Sequence, residues 1–224
     1  MTPSRWRAVL ALVFVLACPR AKAASRDFLG LADRQETFGA VLAPAVLPDG
    51  ANAFYGFAGV PEVGAGYRQG FSRFELEGRA RLDYLRLSLA VEGLGRYPVL
   101  SEGPLELAPY AGLGLVGNTG SQHFELENSS FIGLRALGGA VLTYRLMETL
   151  RLVGVVDLTF DLPLGVRGLR FLPLAGGGAE LYLGKDITLL ALGELGVDVL
   201  RPPIGATVTR LGYAFRIGVG FRVF

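Results

Sequence analysis

The only histidine of the chain, His123, lies in a polar stretch whose residue types could perform hydrolysis. Ser121, Glu125 and Glu127 are close to it, and a serine, a histidine and a carboxylate together can activate a hydroxyl nucleophile. Such a triad depends on spatial geometry, however, and serine and acidic residues are common in loops. We therefore predict no catalytic residues and no enzyme activity, with a lipid hydrolase or acyltransferase using His123 as the alternative.

Metal and phosphate sites have little support in the residue types. Oxygen ligands for calcium could come from Glu125, Glu127 and Asn128, but a solvated acidic loop has the same composition. The glycine-rich runs at 113–117 and 176–178 lack the Lys-Ser/Thr pair of a phosphate-binding loop. We predict no metal site, no cofactor-binding residue and no cofactor.

Most charged residues alternate with apolar ones, which indicates strands with one polar and one apolar face. Arginines are nearly equal in number to acidic residues on the polar face, as expected where charges pair across strands in a confined interior. We predict that these side chains are structural charges of a lumen: Glu75, Glu77, Arg79, Arg81, Arg86, Glu92, Arg135, Arg145, Arg151, Asp157, Glu180, Glu194, Arg210, Arg216 and Arg222. The same face carries Arg96, Glu106, Asp161 and Asp198.

The strand at Thr207 to Phe224 shows the alternation most clearly. One face is apolar from Leu211 to Val223, and the other carries small residues and arginines. Seven further strands are predicted from their alternation, at 74–82, 85–93, 105–116, 131–146, 150–162, 171–183 and 187–199. Two weaker candidates, 38–47 and 53–60, bring the number from eight to ten, with ten favoured. Pro44 makes the first of them an edge or plug-like segment, and 63–67 could continue the second past Pro61.

The first 23 residues are predicted to be a secretory signal peptide. Arg5 and Arg7 precede a ten-residue apolar run, and Ala21-Lys22-Ala23 resembles a cleavage site. Residues 24–36 are polar and are predicted to form an N-terminal periplasmic tail before a barrel domain at 37–224. A lipoprotein cut before Cys18 is the less favoured alternative.

Loss of the signal peptide changes the charge balance. It removes four basic residues and no acidic ones, which leaves 18 basic against 20 acidic side chains. No basic surface for nucleic acid is therefore expected, and we predict no nucleic-acid partner.

The polar face distinguishes a lipid-facing barrel from a soluble one, because both alternate. A water-facing surface is usually rich in lysine, whereas Lys185 is the only lysine after residue 23. Strands with an apolar face toward lipid cannot leave an open edge, so they must close into a barrel. We predict an all-β, closed, antiparallel up-and-down transmembrane barrel, with a soluble lipocalin-like barrel, periplasmic or secreted, as the alternative. Aromatic residues near strand ends, among them Tyr84, Tyr144 and Tyr182, are predicted to lie at the membrane interfaces.

The alternating aromatic strand before Phe224 resembles the closing strand of small bacterial outer-membrane β-barrels of the general OmpA/OmpX/OmpW-like kind. The resemblance implies an assembly signal formed by Tyr213, Phe215, Phe221 and Phe224, although Phe224 shares parity with Arg222 rather than with the apolar face. It also implies the bacterial outer membrane as location, with outer-membrane lipid and the barrel assembly machinery as partners. We predict an ion-paired, plugged lumen and a structural or surface-interaction role, with a narrow channel or carrier for small or apolar molecules as the alternative. The sequence identifies no ligand for the extracellular loops.

Overall fold

The computed structural model describes residues 39–124, 128–165, 167–183, 187–202 and 205–223. The predicted signal peptide and tail, Glu125, Glu127, Lys185 and Phe224 lie outside these ranges. The strands are β1 Asn52–Val60, β2 Glu62–Gly70, β3 Glu75–Asp83, β4 Ser88–Arg96, β5 Leu100–Glu102, β6 Leu105–Thr119, β7 Ser130–Met147, β8 Leu150–Pro163, β9 Leu169–Tyr182, β10 Ile187–Arg201 and β11 Val208–Val223. The described residues contain no helix long and apolar enough to cross a membrane.

The strands form one closed antiparallel sheet in which chain neighbours pair. Pairing of β1 with β11 closes the sheet, from Asn52 opposite Val223 to Val60 opposite Phe215. The short β5 pairs only with the start of β6, while β4 pairs with β6 directly. The wall therefore has ten strands, and the predicted closed antiparallel barrel is confirmed with the favoured strand number.

Two of the ten strands differ from the prediction. Within residues 39–47 no strand forms, whereas 53–60 and 63–67 fall in two separate strands, β1 and β2. Pro61 lies between them, and since proline cannot donate a ladder hydrogen bond, it ends one strand before the next begins.

The apolar face of the alternation lies outside the barrel. In β11, Leu211, Tyr213, Phe215 and Ile217 are between 45 and 68% exposed, while the inward-facing Gly212 and Ala214 are buried. The same arrangement recurs around the wall, for example at Leu115 of β6. Exposed leucine, valine and phenylalanine in every long strand need hydrocarbon rather than water around them. The barrel is thus transmembrane, and the soluble alternative with reversed faces does not describe it.

The barrel has two different ends. We call the end where Asn52 and Val223 meet the turn end, because it carries the tight 148–149 connection. The opposite loop end carries the connections at 120–129, 164–168 and 202–207, but also the single-residue turn at Pro61 and the short 84–87 turn. β1 to β4 have nine residues each and β6 to β11 have 14 to 18, so the loop end joins short strands by short turns and long strands by longer loops.

The chain before β1 lies inside the barrel at the turn end. We call residues 39–51 the inner segment. Ala40, Val41, Ala43, Ala45 and Leu47 are each at most 2% exposed. Their backbone contacts inward-facing side chains of β2, β3, β6 and β9, which are described below.

Candidate functional site: the lumen

The structure places fourteen of the fifteen predicted lumen charges on the inward side of the wall. Eleven are buried: Glu75, Glu77, Arg81, Arg86, Glu92, Arg135, Arg151, Asp157, Glu180, Glu194 and Arg222. Three are partly buried: Arg79, Arg210 and Arg216. Arg96, Asp161 and Asp198 are buried with them.

Arg145 was predicted to be a lumen charge, but its side chain is exposed. The ladder between β7 and β8 shifts register between Arg145 and Met147. Arg145 itself still pairs with the buried Arg151, so its exposure places it at the turn-end rim of the wall rather than within the interior.

The middle of the lumen holds a network centred on Glu92. Arg79, Arg81 and Arg135 all contact this carboxylate, with shortest nitrogen–oxygen distances of 2.5, 2.6 and 3.1 Å. Arg135 also donates two hydrogen bonds to Asp161, at 2.6 and 2.8 Å. Residues from β3, β4, β7 and β8 are thus joined through two carboxylates.

A second pair of acidic residues in the middle depends on Arg216. Its guanidinium lies 2.7 Å from Glu62 and 2.5 Å from Glu194. Glu62 also lies 3.6 Å from Arg81, which links this pair to the Glu92 network. On the turn-end side, Glu77 accepts hydrogen bonds from the Tyr55 hydroxyl and from Arg96.

Carboxylates bind the backbone of the inner segment at the turn end. Glu180, which is fully buried, accepts hydrogen bonds from the backbone N–H groups of residues 40, 41, 42 and 43 at 2.9 to 3.2 Å. Glu106 accepts one from Ala45 at 3.0 Å, and Glu75 one from Leu47 at 2.6 Å. A segment without strand pairing has backbone donors to satisfy, and these three glutamates satisfy six of them.

Arg68 binds the carbonyl side of the same segment. It donates to the carbonyl oxygens of Val41 at 3.0 Å and Pro44 at 2.9 Å, and it forms two hydrogen bonds with Glu75 at 2.7 and 2.8 Å. Both Arg68 and Glu75 are 0% exposed. A buried ion pair and the inner segment therefore complete each other's hydrogen bonding.

Apolar residues of the wall pack on the inner segment as well. Val41, Ala43 and Ala45 belong to one buried cluster with Tyr55, Leu94, Ala108, Tyr110, Val141, Val153, Val155, Leu190 and Leu192. The inner segment is therefore held both by charged side chains and by an apolar cluster of the wall.

A cavity of about 280 Å³ opens at the loop end. Its described lining includes six arginines, four acidic residues and several leucines. Asp198 of β10 is the centre of its charged side: Arg86, Arg170 and Arg210 lie 2.5, 2.9 and 2.9 Å from its carboxylate. Three guanidinium groups, from the 84–87 turn, β9 and β11, thus share one carboxylate.

Of the residues considered for chemistry, the structure describes Ser121, His123 and Asn128. His123 is exposed, and its ring contacts Phe124 edge-on at a centroid distance of 4.8 Å. Asn128 is buried and hydrogen-bonds to the carbonyl oxygens of Arg86 and Ser121. In the described part of the chain, no three His, Cys, Asp or Glu side chains come together as a metal site.

Tyr213, Phe215 and Phe221 lie on the lipid-facing side, between 45 and 50% exposed, and their role in assembly stays a prediction. Tyr182 was expected at a membrane interface and is instead buried, because its parity in β9 points it inward beside Glu180.

Three lumen residues, Arg68, Glu62 and Arg170, were absent from the predicted set, and so was the role of the inner segment as a binding element. Arg68 and Glu62 lie in β2, whose alternation is weak because it contains glycine and alanine at several positions. Arg170 was assigned to a loop, but β9 begins at Leu169. The one available signal was Pro44, which is incompatible with a central strand.

Comparison with known proteins gives only structural likenesses. No family model matches the chain, and no curated protein matches it. Matching solved structures include the KdgM porin in complex with disordered oligogalacturonate, at 11% identity and a TM-score of 0.42 over 76% of this chain and 98% of that chain. The KdgM porin alone matches at 12% identity, a TM-score of 0.39 and the same coverage. A structure titled "De novo design of transmembrane beta-barrels" matches at 17% identity and a TM-score of 0.33, over 80% of this chain and 99% of that chain.

The architecture of this chain rests on its own strand pairing and its own exposed apolar face. A closed antiparallel barrel with apolar side chains outside and charged ones inside is the form in which β-strands cross the bacterial outer membrane. The protein is an outer-membrane β-barrel.

Proposed function

We propose that this barrel is closed to flow and acts at its loop end, in a structural or surface-interaction role. The observation that carries the proposal is the inner segment, whose backbone is bound by Glu180, Glu106, Glu75 and Arg68 inside the turn end. A barrel of this size has an interior that side chains nearly fill, and a backbone segment occupies much of what remains.

The ion pairs above the inner segment support the same proposal. Glu92 and Asp161 draw arginines from several strands toward the centre of the lumen. Desolvated charge pairs of this kind hold a fixed geometry, because separating them leaves a buried charge without its partner. The cavity at the loop end would therefore end blind, as a binding pocket does.

Planar-bilayer recording tests this proposal. The refolded protein should give no discrete conductance steps, while a variant lacking residues 39–47 should give measurable current steps. The folded state of both is checked by the mobility difference between boiled and unboiled samples on an SDS gel. Regular conductance by the unaltered protein would contradict the proposal.

A gated channel is the second candidate, and one observation favours it. Residues 40–47 are held by hydrogen bonds to side chains rather than by a strand ladder. Such a segment can leave the lumen without breaking the hydrogen bonds between the strands of the wall. A protease site placed at the exposed Asp49-Gly50 turn distinguishes the two: cleavage that produces conductance supports the gated channel, and cleavage that leaves the barrel silent supports closure.

A further inference from the structure

We infer that the loop-end cavity binds a single-chain amphiphile with an anionic head group, the head on the arginines around Asp198 and the chain along β11. The inference rests on the proposed function, because a blind cavity holds a ligand where a pore would pass it on. The class of ligand follows from the charged and apolar residues that both line the cavity and from the place where it opens.

The charged side provides donors for an anion. Arg86, Arg170 and Arg210 approach Asp198 from before β4, from β9 and from β11. Among the described lining residues, arginines outnumber acidic residues six to four. Guanidinium offers five N–H donors in a planar fork, which suits a second carboxylate or a phosphate beside Asp198.

Part of the cavity lining is apolar. Leu85, Leu172 and Leu174 line it, together with Phe124 of the 120–129 loop. The hydrophobic contact offered by these leucines would not contribute to binding of a small inorganic anion. A ligand that uses both sides has a charged end and a hydrocarbon end.

The opening of the cavity indicates where the hydrocarbon end of the ligand would lie. Leu211 and Tyr213 also line the cavity, although they belong to the outward face of β11 and are 68 and 45% exposed. Pairing of β11 with β1 ends at Phe215, because β1 stops at Val60 and Pro61 follows. The described wall is therefore lower on the β1 side, and the cavity reaches from the arginines across the edge of β11 to the apolar outer surface.

From these observations we expect the hydrocarbon chain of the ligand to lie on Leu211 and Tyr213 while its head group contacts the guanidinium groups. Carboxylate and phosphate share the required chemistry, so a fatty acid and a single-chain phosphate ester are the two sources to be compared. A free inorganic anion would use only one side of the cavity.

The experiment measures binding of lauric acid, ¹³C-labelled at the carboxyl carbon, to the full-length protein refolded in a neutral maltoside detergent. Dodecyl phosphate, dodecanol, acetate and inorganic phosphate are tested as competitors. Saturable laurate binding, displaced by dodecyl phosphate far better than by dodecanol, acetate or inorganic phosphate, is the expected result. Whichever of laurate and dodecyl phosphate binds more tightly identifies the head group.

Two variants and two matched controls locate the site. Arg170→Gln and Leu211→Asn should each weaken laurate binding by about tenfold or more, because each removes one side of the contact. Arg145→Gln removes an exposed arginine at the opposite end, and Leu113→Asn makes the same change as Leu211→Asn on the lipid-facing side of β6. Both controls should bind within about twofold of the unaltered protein. Gel mobility before and after boiling confirms that every variant is folded.

Several results would overturn the inference. Dodecanol binding as tightly as laurate would remove the role of the arginines, and acetate or inorganic phosphate competing as well as laurate would remove the role of the chain. Absence of saturable laurate binding by a folded, non-conducting protein would remove this inference and leave the proposed function intact. If the protein binds laurate at this site and also conducts, the proposal that the barrel is closed would be wrong, and the amphiphile site would stand.

Discussion

The two ends of the lumen use the same inward-facing residue types in opposite ways. At the turn end three glutamates, Glu180, Glu106 and Glu75, bind backbone N–H groups of one segment. At the loop end three arginines converge on one carboxylate, that of Asp198, beside a cavity. An alternating charged face therefore does not by itself define the function of a lumen. Whether a chain segment fills the lumen decides which charged side chains form hydrogen bonds and ion pairs within the protein.

The physical reason lies in the backbone. A chain segment that enters a barrel without joining the sheet has N–H and C=O groups that need partners. Carboxylates and a guanidinium are suitable partners, and the turn end supplies both. No described segment enters the cavity at the loop end in this way, so arginine donors there are positioned around a carboxylate and an open volume.

The largest expected effect comes from removing the main anchor of the inner segment. Glu180→Ala leaves four N–H groups inside the barrel, three of them buried, without their acceptor. Each buried unsatisfied donor costs ~1–3 kcal/mol, so a loss of unfolding free energy of about 4 kcal/mol or more is expected. Denaturant titration in detergent measures it, and protease sensitivity of residues 39–51 should rise in parallel.

The exposed Glu102 provides the control for that change. Glu102→Ala removes the same charge at the same end of the barrel and should leave the unfolding free energy within ~0.5 kcal/mol. Equal effects of the two substitutions would show that the turn end is not anchored by Glu180.

A slightly smaller loss is expected between the two ends. Arg216→Ala leaves Glu62 and Glu194 buried without the guanidinium that contacts both of them. Removing one partner of a desolvated pair costs ~3–5 kcal/mol. Arg216 and Glu62 also line the loop-end cavity, so an unchanged denaturation midpoint would indicate that water in the cavity screens these charges.

Glycine substitutions test how tightly the inner segment fits. A Cβ at Gly70 would lie 2.0 Å from the Pro48 carbonyl oxygen, whereas a Cβ at Gly93 has nothing within 4 Å. Gly70→Ala should therefore cost ~1–3 kcal/mol of unfolding free energy through overpacking, and Gly93→Ala should have little effect. Both glycines lie in nine-residue strands, so similar values for the two would mean that the inner segment yields easily.

The smallest effect is expected at the loop end. Arg170→Ala leaves Asp198 in contact with Arg86 and Arg210, so the carboxylate keeps two cationic partners. We expect a loss of about 1 kcal/mol or less in the same titration, since the remaining pairs compensate and this end opens to the cavity. A loss of unfolding free energy as large as that of Arg216→Ala would show that the charges at the loop end depend on their partners as strongly as those in the middle of the lumen. The contrast between the turn end and the loop end would then be weaker.

Much of the fold could be predicted because period-two alternation is a local property. From Phe74 onward the pattern in sequence locates every wall strand, as in the alternation of Leu211 to Val223. The alternation failed where it was weak or interrupted. β2 contains Gly64, Gly66 and Gly70, and Arg145 lies beside a register shift that no spacing of residues announces.

The sequence by itself determined a lipid-facing barrel with a charged interior, because the side chains of a strand must alternate between its two faces. Only the tertiary structure decided which charges meet. Glu180 and Ala40 are 140 residues apart in the chain, and Arg86 and Asp198 are 112 apart. Their contacts depend on closure of the wall and on the path of the inner segment, and neither is encoded in any local pattern.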